Sequence, residues 1–393
     1  MDRPNDIVLP ADTAWLQDPD TRAVYDALAV DGGAVFFVGG CVRDALLGVP
    51  GADVDLSTPW EPQEVIRLAK AAGLRAVPTG IDQGTITVVS GGHGFEVTTF
   101  RRDVETDGRR AVVAYSTDIS DDARRRDFTL NALYATLDGR VVDPLGGVDD
   151  CLNRRIRFIE DAGQRIQEDY LRILRYFRFH AWYSDPDAGF DPDALDAIAA
   201  NTDGLETLSA ERIGSEMMRL LSAPDPTPAI AVMRQTGCLS RILPGSDDRL
   251  LGPVVHLGAS VGARPDPVVR LAALGGDDVP DRLRLSRSHA RVLNDVTQAG
   301  YGMSPLPEVA YRNGYDVAVA AAVIRAALAQ IPIDPTDLEA IKTASEAEFP
   351  VTAADLMPAF EGRALGQKLS DLEARWIASG FTLTREDLVT SGA

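Results

Sequence analysis

Residues 34–44 read Ala-Val-Phe-Phe-Val-Gly-Gly-Cys-Val-Arg-Asp and pass from an apolar run through two glycines into a helical pattern. The run 34–38 predicts a buried strand, and 42–47 predicts a short helix that ends at Gly48. Glycine at such a junction permits positive φ and lets backbone N–H groups approach a phosphate. The pattern alone has two interpretations, a phosphate-binding loop or, more commonly, an ordinary turn.

Length and composition describe a globular protein of two or three domains. The chain has 393 residues, of which 45% are hydrophobic and 25% are charged, values close to the average for soluble proteins. No apolar run approaches the ~18 residues of a membrane span. The N-terminus lacks the basic and apolar regions of a signal peptide. We therefore expect a cytoplasmic protein without a membrane partner.

The formal net charge is −20, which argues against a general nucleic-acid coat protein. Lysine occurs only at positions 70, 342 and 368, so nearly all positive charge is arginine, the side chain suited to phosphate and base contacts. RNA binding is therefore expected on one arginine-lined surface. Three scattered cysteines and four unpaired histidines indicate neither a zinc site nor a histidine-built metal centre.

The chain changes character near residue 160. Before it, β-like and helical patterns alternate, with an amphipathic helix at 62–72 and hairpins at 85–100 and 132–142. The polar, arginine-rich stretch 101–122 predicts a mobile functional loop. After residue 163 the apolar spacing is helical, first over 166–183. The pattern predicts an α/β head followed by an all-α remainder.

Asp53 and Asp55 lie on a stretch, 53–56, that alternates polar and apolar residues and predicts a half-buried strand. Residues i and i+2 of a strand share a face. Two carboxylates there can hold divalent ions for phosphoryl transfer. The alternative is a pair of solvated surface carboxylates.

Two arginine-rich segments complete the set of motifs. Residues 124–133 read Arg-Arg-Arg-Asp-Phe-Thr-Leu-Asn-Ala-Leu and could face a triphosphate or form a basic surface. Residues 168–178 read Glu-Asp-Tyr-Leu-Arg-Ile-Leu-Arg-Tyr-Phe-Arg, and on one helix Asp169, Arg172 and Arg175 would be neighbours. The alternative for this second segment is a solvated, salt-bridged helix face.

Each motif is weak, but the ordered set Gly-Gly-x-Val-Arg-Asp, Asp-x-Asp, Arg-Arg-Asp-Phe-Thr-Leu-Asn-Ala-Leu and Glu-Asp-x-Leu-Arg resembles one family. It is similar to the class II CCA-adding tRNA nucleotidyltransferases and the related bacterial poly(A) polymerases. The resemblance covers about residues 30–220, includes Ser209-Ala210-Glu211-Arg212-Ile213, and is faint beyond 250.

The resemblance implies an α+β fold: a nucleotidyltransferase head with a mixed sheet, like that of DNA polymerase beta, followed by an all-α neck, body and tail. The implied domains are a catalytic head at 1–160, a helical neck with the nucleotide-recognition helix at 161–245, and a tRNA-binding body and tail at 246–393. It implies CTP, ATP and tRNA as partners and identifies no protein partner.

The resemblance also implies site residues. Asp53 and Asp55 would be catalytic and bind Mg²⁺. Glu96 is either a third acidic residue near the metal or an ordinary surface residue of its strand. The stretch 101–118 corresponds to the family's flexible loop, with Gly108-Arg109-Arg110 its most basic part. The implied nucleotide-binding residues are Gly39, Gly40, Arg43, Arg126, Asn131, Asp169, Arg172, Arg175 and Arg178.

By the same resemblance, Asp169 and Arg172 would read the base. Cytosine and adenine both present an exocyclic amino donor beside a ring-nitrogen acceptor, which suits one carboxylate and one guanidinium. The implied function is template-independent CCA addition to tRNA with release of pyrophosphate. Poly(A) synthesis or partial CC or A addition is the alternative, and a non-catalytic RNA-binding module with a decayed head is a third possibility.

Overall fold

The computed structural model describes residues 7–51, 53–107 and 110–390. The chain divides into two compact units, Met1–Glu216 with Val232–Ile242 and Met217–Ala231 with Leu243–Ala393. Among the described residues, no helix has the length and apolar character needed to cross a membrane. The boundaries at 160 and 245 inferred from the resemblance stay a prediction.

A seven-stranded sheet forms the centre of the head, with the order β3-β4-β5-β2-β1-β8-β9, and β6 pairs with β7 separately. β2 and β5 are parallel and the other neighbours are antiparallel, so the predicted mixed sheet is confirmed. The strands are β1 Phe36–Val38, β2 Leu56–Thr58, β3 Arg75–Gly80, β4 Thr85–Ser90, β5 His93–Thr99, β6 Arg101–Asp107, β7 Arg110–Tyr115, β8 Tyr134–Ala135 and β9 Val141–Val142.

Helices alternate with the strands in the head, and after β9 the described elements are helical. The helices up to residue 242 are α1 Ala14–Gln17, α2 Pro19–Leu28, α3 Gly40–Leu47, α4 Pro62–Ala71, α5 Ile119–Arg124, α6 Val148–Leu152, α7 Ala162–Glu168, α8 Leu171–Tyr183, α9 Pro192–Ala200, α10 Ala210–Leu221, α11 Thr227–Gln235 and α12 Cys238–Ile242.

The remaining described residues are helical and contain no strand, which confirms the predicted all-α remainder. The helices are α13 Leu251–Ser260, α14 Pro267–Leu274, α15 Val279–Arg282, α16 Arg287–Tyr301, α17 Leu306–Asn313, α18 Tyr315–Ala329, α19 Pro335–Ser345, α20 Gly362–Ala378 and α21 Arg385–Thr390. Short 3₁₀ turns lie at Val30–Gly32, Ile81–Gln83, Thr129–Asn131, Thr202–Thr207, Asp248–Leu250 and Ala353–Asp355.

The predicted strand, glycine turn and helix at the start of the head are confirmed. Gly39 has φ 73° and ψ −119° and its N–H donates to the carbonyl oxygen of Leu133 at 2.9 Å. A Cβ at this position would lie 3.3 Å from Arg126 Nη1. Glycine is therefore required both by the backbone conformation and by the close approach of Arg126. Gly48 ends α3 in the left-handed conformation.

Both predicted hairpins are also present. β4 and β5 pair from Thr85 opposite Thr98 to Ser90 opposite His93. The turn between them uses Gly91 and Gly92, both with positive φ, as two-residue hairpin turns require. β8 and β9 form the second hairpin. Buried side chains pack beneath this part of the sheet: Val38, Phe100, Ala123, Ala132, Tyr134 and Ile159.

Three local predictions were wrong, those for the strand at 53–56, the loop at 101–122 and the helix at 166–183. The strand expected at 53–56 is β2, 56–58, because the buried centre of the sheet takes Leu56, Ser57 and Thr58 and leaves the two carboxylates before it. The loop expected at 101–122 is the β6–β7 hairpin followed by α5, since the β-branched residues of 110–115 favour pairing. Gly108 and Arg109 lie outside the described residues.

The helix expected over 166–183 is interrupted. α7 ends at Glu168, and α8 begins at Leu171. Asp169 between them is extended, with φ −155° and ψ 104°, and its Oδ1 accepts a hydrogen bond from Leu171 N at 3.1 Å. An aspartate that bonds the backbone two residues ahead begins a new helix and does not continue the old one. Asp169 and Arg172 therefore do not share one helix.

Candidate active site

The glycine turn at the end of β1 faces the guanidinium of Arg126. Arg126 Nη2 lies 3.1 Å from Asp122 Oδ2, and its Nε donates to Tyr134 Oη at 3.3 Å. Asp122 is fully buried and also pairs with Arg125 at 2.6 Å. Burial would raise the pKa of Asp122, but Arg126 and Arg125 lower it to about 2. Asp122 therefore fixes Arg126 in a position facing the backbone of Gly39.

Three carboxylates converge beside this turn. Leu56 of β2 pairs with Val97 of the parallel strand β5, so Asp55 and Glu96, one residue earlier on each strand, are neighbours across the ladder. Burial, together with the charges of Glu96 and Asp53, raises the pKa of Asp55 to about 6, and Arg126 opposes this rise. The structure thus brings Glu96, which the sequence left undecided, to the predicted acidic pair.

These carboxylates could supply one or two ligands to a divalent cation whose remaining ligands come from the substrate and water. Within the described parts of the chain, no group of three or more His, Cys, Asp or Glu side chains is arranged to enclose a metal. Magnesium commonly takes one or two carboxylates and completes its coordination with phosphate oxygens and water. Burial is the main cause of the raised pKa of Asp55 and repulsion by Glu96 and Asp53 adds to it; a bound cation would relieve that repulsion.

Arg43 lies beneath the glycine turn and is only 5% exposed. Its Nε donates to Asp44 Oδ1 at 2.7 Å, its Nη1 to Asn131 Oδ1 at 2.6 Å, and its Nη2 to Tyr183 Oη at 2.8 Å. The guanidinium also lies 4.0 Å from the centre of the Tyr183 ring, a cation–π distance. Direct contact with a nucleotide would require one of these bonds to be exchanged, and that contact stays a prediction.

Asn131 continues the network from Arg43 to α8. Its Nδ2 donates to Asp127 Oδ1 at 3.0 Å, and Arg175 Nε donates to Asp127 Oδ2 at 2.6 Å. Burial would raise the pKa of Asp127, but Arg175 and Asn131 lower it to about 2. The arginine-rich segment of the head is thereby bonded to α8.

The two predicted base-reading residues have separate partners. Asp169 Oδ2 forms an ion pair with Arg212 Nη2 at 2.7 Å. Arg172 Nη1 donates to Glu168 Oε2 at 2.7 Å, and its Nη2 donates to the carbonyl oxygen of Arg125 at 3.2 Å. The side chains of Arg172 and Asp169 are 11% and 21% exposed. They are held in fixed orientations without pairing with each other.

Arg178, the last predicted nucleotide-binding residue, forms an ion pair with Glu216 at 2.9 Å. Its guanidinium lies 4.7 Å from the ring centre of Phe179, and those of Arg43 and Arg175 lie 5.2 and 5.4 Å from it. Phe179 is 6% exposed. One buried ring therefore contacts three arginines of the predicted site.

Sequence reasoning missed several residues that hold the site. Asp122 and Asp127 fix Arg126 and Arg175, while Glu168 and Arg212 fix Arg172 and Asp169. Asp127 and Glu168 stand inside the quoted motifs, so their charge next to the arginines was an available signal. Asp122 lies four residues before Arg126, a spacing that could have indicated this pair. Arg212 stands in the quoted segment 209–213, but it is 43 positions from Asp169, so no local spacing indicated that pair.

Two cavities of about 520 and 380 Å³ lie elsewhere in the same unit. Arg157 and Asp191 line both of them. None of the predicted site residues lines either cavity.

The head and the segment after it match models of nucleotide-polymerising enzymes. Residues 35–157 match the model described as the Poly A polymerase head domain. Residues 189–250 match the model described as the probable RNA and SrmB-binding site of polymerase A. These matches assign the head to the nucleotidyltransferase class.

Relatives along the whole chain define the family. The mitochondrial CCA tRNA nucleotidyltransferase 1 of Mus musculus is 32% identical over 406 residues, covering 96% of this chain and 92% of the relative. The CCA-adding enzyme of Geobacillus thermodenitrificans is 33% identical and covers 76% of each chain. The structure of the Bacillus stearothermophilus CCA-adding enzyme in complex with CTP superposes with a TM-score of 0.74 at 25% identity, covering 93% of each chain. This chain belongs to the family of CCA-adding tRNA nucleotidyltransferases, which confirms the resemblance.

Proposed function

We propose that this chain adds CCA to the 3′ end of tRNA, using CTP and ATP and releasing pyrophosphate, in a reaction that requires Mg²⁺. The relatives that span nearly the whole chain carry the name of this activity, and a structural relative is in complex with CTP. A location in the cytoplasm stays a prediction, because the mouse and human relatives are named as mitochondrial.

One contact carries this proposal. Arg172 Nη2 donates to the carbonyl oxygen of Arg125 at 3.2 Å, and Arg165 Nη2 donates to the carbonyl oxygens of Arg125 and Arg126 at 2.6 Å each. The helices with the base-reading residues are therefore bonded to the backbone beside Arg126, whose side chain faces the glycine turn. Residues suited to a base and residues suited to a triphosphate thus belong to one site.

Asp53 and Asp55 would hold Mg²⁺, with Glu96 beside them. When bound, the ion would lower the pKa of the attacking 3′-hydroxyl and stabilise charge on the leaving pyrophosphate. The chain's own groups bind and orient the nucleotide. Backbone N–H groups after Gly39 and the guanidinium of Arg126 suit the triphosphate, and Arg43 supports the turn from below.

Base choice follows from the hydrogen-bonding groups of Asp169 and Arg172. Asp169 Oδ2 bonds Arg212 but keeps a lone pair for an exocyclic amino group, and Arg172 can donate to a ring nitrogen. Guanine and uracil present a carbonyl oxygen where the amino group is needed. Two unpaired groups at ~1–3 kcal/mol each imply a discrimination of roughly 10²–10⁴.

The test is extension of a tRNA transcript that lacks CCA, resolved on a gel at single-nucleotide resolution. With CTP, ATP and Mg²⁺ we expect three added residues and no more. One or two added residues would indicate a partial enzyme, and a long ladder with ATP alone would indicate a poly(A) polymerase. Absence of Mg²⁺-dependent incorporation would indicate a non-catalytic RNA-binding module.

Asp55→Asn is the matched loss-of-function variant, because it keeps the shape of the side chain and removes its charge. It should abolish incorporation, while Asp193→Asn, an exposed aspartate on α9, should extend the transcript normally.

A further inference from the structure

Tyr183, the last residue of α8, contacts Arg43 of the head in two ways. Arg43 Nη2 donates a hydrogen bond to Tyr183 Oη at 2.8 Å, and the guanidinium carbon lies 4.0 Å from the centre of the Tyr183 ring. Phe179, one turn earlier on α8, has its ring centre 5.2 Å from the same guanidinium. Two aromatic rings of α8 thus contact an arginine that the resemblance assigns to the nucleotide site.

The partners of Arg43 differ in burial. Asp44 Oδ1 accepts from Arg43 Nε at 2.7 Å and lies 2.7 Å from Nη2, and Asn131 Oδ1 accepts from Nη1 at 2.6 Å. Asp44 and Asn131 are only 6% and 7% exposed. Tyr183 is half-buried. The bond to Tyr183 is therefore the most accessible of the bonds that hold the guanidinium.

These partners also differ in charge. Burial raises the pKa of the Tyr183 hydroxyl, although Arg43 opposes this rise, so the hydroxyl is neutral at physiological pH. Asp44 forms an ion pair with Arg43, and Asn131 is itself bonded to Asp127 at 3.0 Å. An arginine bonds a negatively charged phosphate oxygen more strongly than a neutral hydroxyl. A phosphate would therefore displace Tyr183 in preference to the other two partners.

The nitrogen that Tyr183 holds lies beside the glycine turn. A Cβ at Gly40 would be 3.7 Å from Arg43 Nη2, and Arg43 N donates to the carbonyl oxygen of Gly39 at 3.0 Å. The backbone N–H groups of this turn and the guanidinium of Arg126 are the groups suited to the triphosphate. An N–H of Arg43 that Tyr183 released would thus be next to these groups.

We propose that the Tyr183 hydroxyl takes the place of a phosphate oxygen in the nucleotide-free enzyme and releases Arg43 Nη2 when CTP or ATP binds. The inference rests on the proposed function, which supplies the nucleotide and the role of the glycine turn. Asp44 and Asn131 keep the guanidinium in place during the exchange, and the Tyr183 ring retains its cation–π contact. Because the bond to Tyr183 must break first, the hydroxyl weakens nucleotide binding. Tyr183 is a positioning residue.

The test is Tyr183→Phe, which keeps the ring and removes the acceptor. We expect the Kd for CTP, measured by calorimetry on the full chain with Mg²⁺ and without tRNA, to fall roughly 2- to 10-fold, the factor that corresponds to one net hydrogen bond. Inorganic tripolyphosphate has neither base nor ribose, and its Kd should fall by a similar factor. A gain for CTP without a gain for tripolyphosphate would overturn the proposal.

The matched control is Tyr25→Phe. Tyr25 is also half-buried, and its hydroxyl donates to the carbonyl oxygen of Val35 at 3.0 Å. Its removal should leave both Kd values unchanged, and the Tm of each variant verifies that it is folded. An equal gain in both variants would overturn the proposal. An unchanged Kd for Tyr183→Phe would show that phosphate does not use this N–H, and a raised Kd would show that the hydroxyl supports binding; either result refutes the exchange.

A second comparison places Tyr183→Phe in an Arg43→Lys background. Lysine lacks the guanidinium fork, so the gain from Tyr183→Phe should largely disappear there. A full gain in this background would overturn the proposal, because the hydroxyl would then act without Arg43. If Arg43→Lys does not fold, the comparison of Tyr183→Phe with Tyr25→Phe decides alone. Failure of the wild type to extend tRNA would refute the proposed function, whereas these binding measurements involve no reaction.

Discussion

Arg175 on α8 forms an ion pair with Asp127 of the arginine-rich segment, with 2.6 Å between Arg175 Nη2 and Asp127 Oδ2. Asp127 is 7% exposed and also accepts hydrogen bonds from Asn131 and from its neighbour Phe128 N. Asn131 in turn binds Arg43. The glycine turn and α8 are thus joined through side chains that are 4 and 48 positions from Asp127 in sequence.

Replacing Asp127 with Asn should destabilise the protein. The substitution keeps the size of the side chain but leaves Arg175 without its counter-charge, and breaking such a pair costs about 3 kcal/mol when fully buried. Arg175 is 31% exposed, so we expect about 1–2 kcal/mol in urea denaturation. Asp193→Asn on the surface should change the free energy of unfolding by less than about 0.5 kcal/mol. Equal losses in both variants would contradict this role.

Acid should remove the same stabilisation. The pKa of Asp127 is lowered to about 2 by Arg175 and Asn131 against the effect of burial, whereas an unfolded aspartate titrates near ~4. The contribution is therefore complete above about pH 4 and is lost as pH falls toward 2. As pH is lowered from 6 to 2, the Tm of the wild type should fall more steeply than the Tm of Asp127→Asn. Parallel curves would refute the stabilising role of the Asp127 carboxylate.

Gly39→Ala should impair the site more than Gly48→Ala. Both positions have positive φ, 73° and 67°. Gly48 is left-handed helical with ψ 26°, where Ala costs about 1–2 kcal/mol of stability, whereas Gly39 has ψ −119°, a conformation that Ala adopts still less readily. Only at Gly39 would the new Cβ approach Arg126, at 3.3 Å from its Nη1, while nothing lies within 4 Å at Gly48. We expect KM for CTP to rise at least several-fold for Gly39→Ala alone. Similar KM values in both variants would show that Arg126 and the glycine turn do not contribute to triphosphate binding.

Arg212→Ala should weaken base selection through Asp169. Loss of the 2.7 Å ion pair leaves the carboxylate free to rotate, at an expected cost of about 1–2 kcal/mol. That corresponds to roughly 5- to 30-fold in kcat/KM for CTP and ATP, with more misincorporation of UTP. Arg212→Lys should restore part of the selectivity because it keeps the charge. A loss of Tm with unchanged nucleotide ratios would show that Arg212 is only structural.

Glu96→Gln should raise the Mg²⁺ concentration needed for half-maximal activity several-fold. Glu96 is the charged neighbour with the largest effect on Asp55, and removing its charge weakens the attraction of the acidic cluster for a cation. Glu64→Gln on α4 removes a carboxylate that pairs with Arg67 and should leave the Mg²⁺ dependence unchanged. If Glu96→Gln did not change the Mg²⁺ dependence of activity, Glu96 would be an ordinary residue of its strand with no role near the metal.

The sequence predicted much of the head because its local patterns and the fold agree. Glycines at 39, 48, 91 and 92 adopt the positive φ that their turns require, and the hairpins follow from alternation and turn residues. Strand β3 and helices α1 and α2 were not predicted. β3 contains Pro78 and is largely exposed, so it lacks the apolar alternation by which strands are recognised.

The site was harder to predict where it depends on distant pairing. The sequence predicted Asp169, Arg172 and Arg175 as neighbours on one helix, but the hydrogen bond from Leu171 N to Asp169 places Asp169 before the helix begins. The partner of Asp169, Arg212, comes from another element. Local spacing carries information about neighbours on one element and none about which elements meet. The roles of the predicted nucleotide-binding residues stay predictions.

The parallel pairing of β2 with β5 limits the changes in chain length that the head tolerates. Side chains alternate across a strand, so a slip of one residue between Leu56 and Val97 would turn Glu96 to the opposite face from Asp55. Insertions in the surface turns between these strands would leave that alignment intact, whereas a single residue added inside either strand would separate the acidic groups. The chemistry of the head is therefore sensitive to strand alignment rather than to the length of the connecting chain.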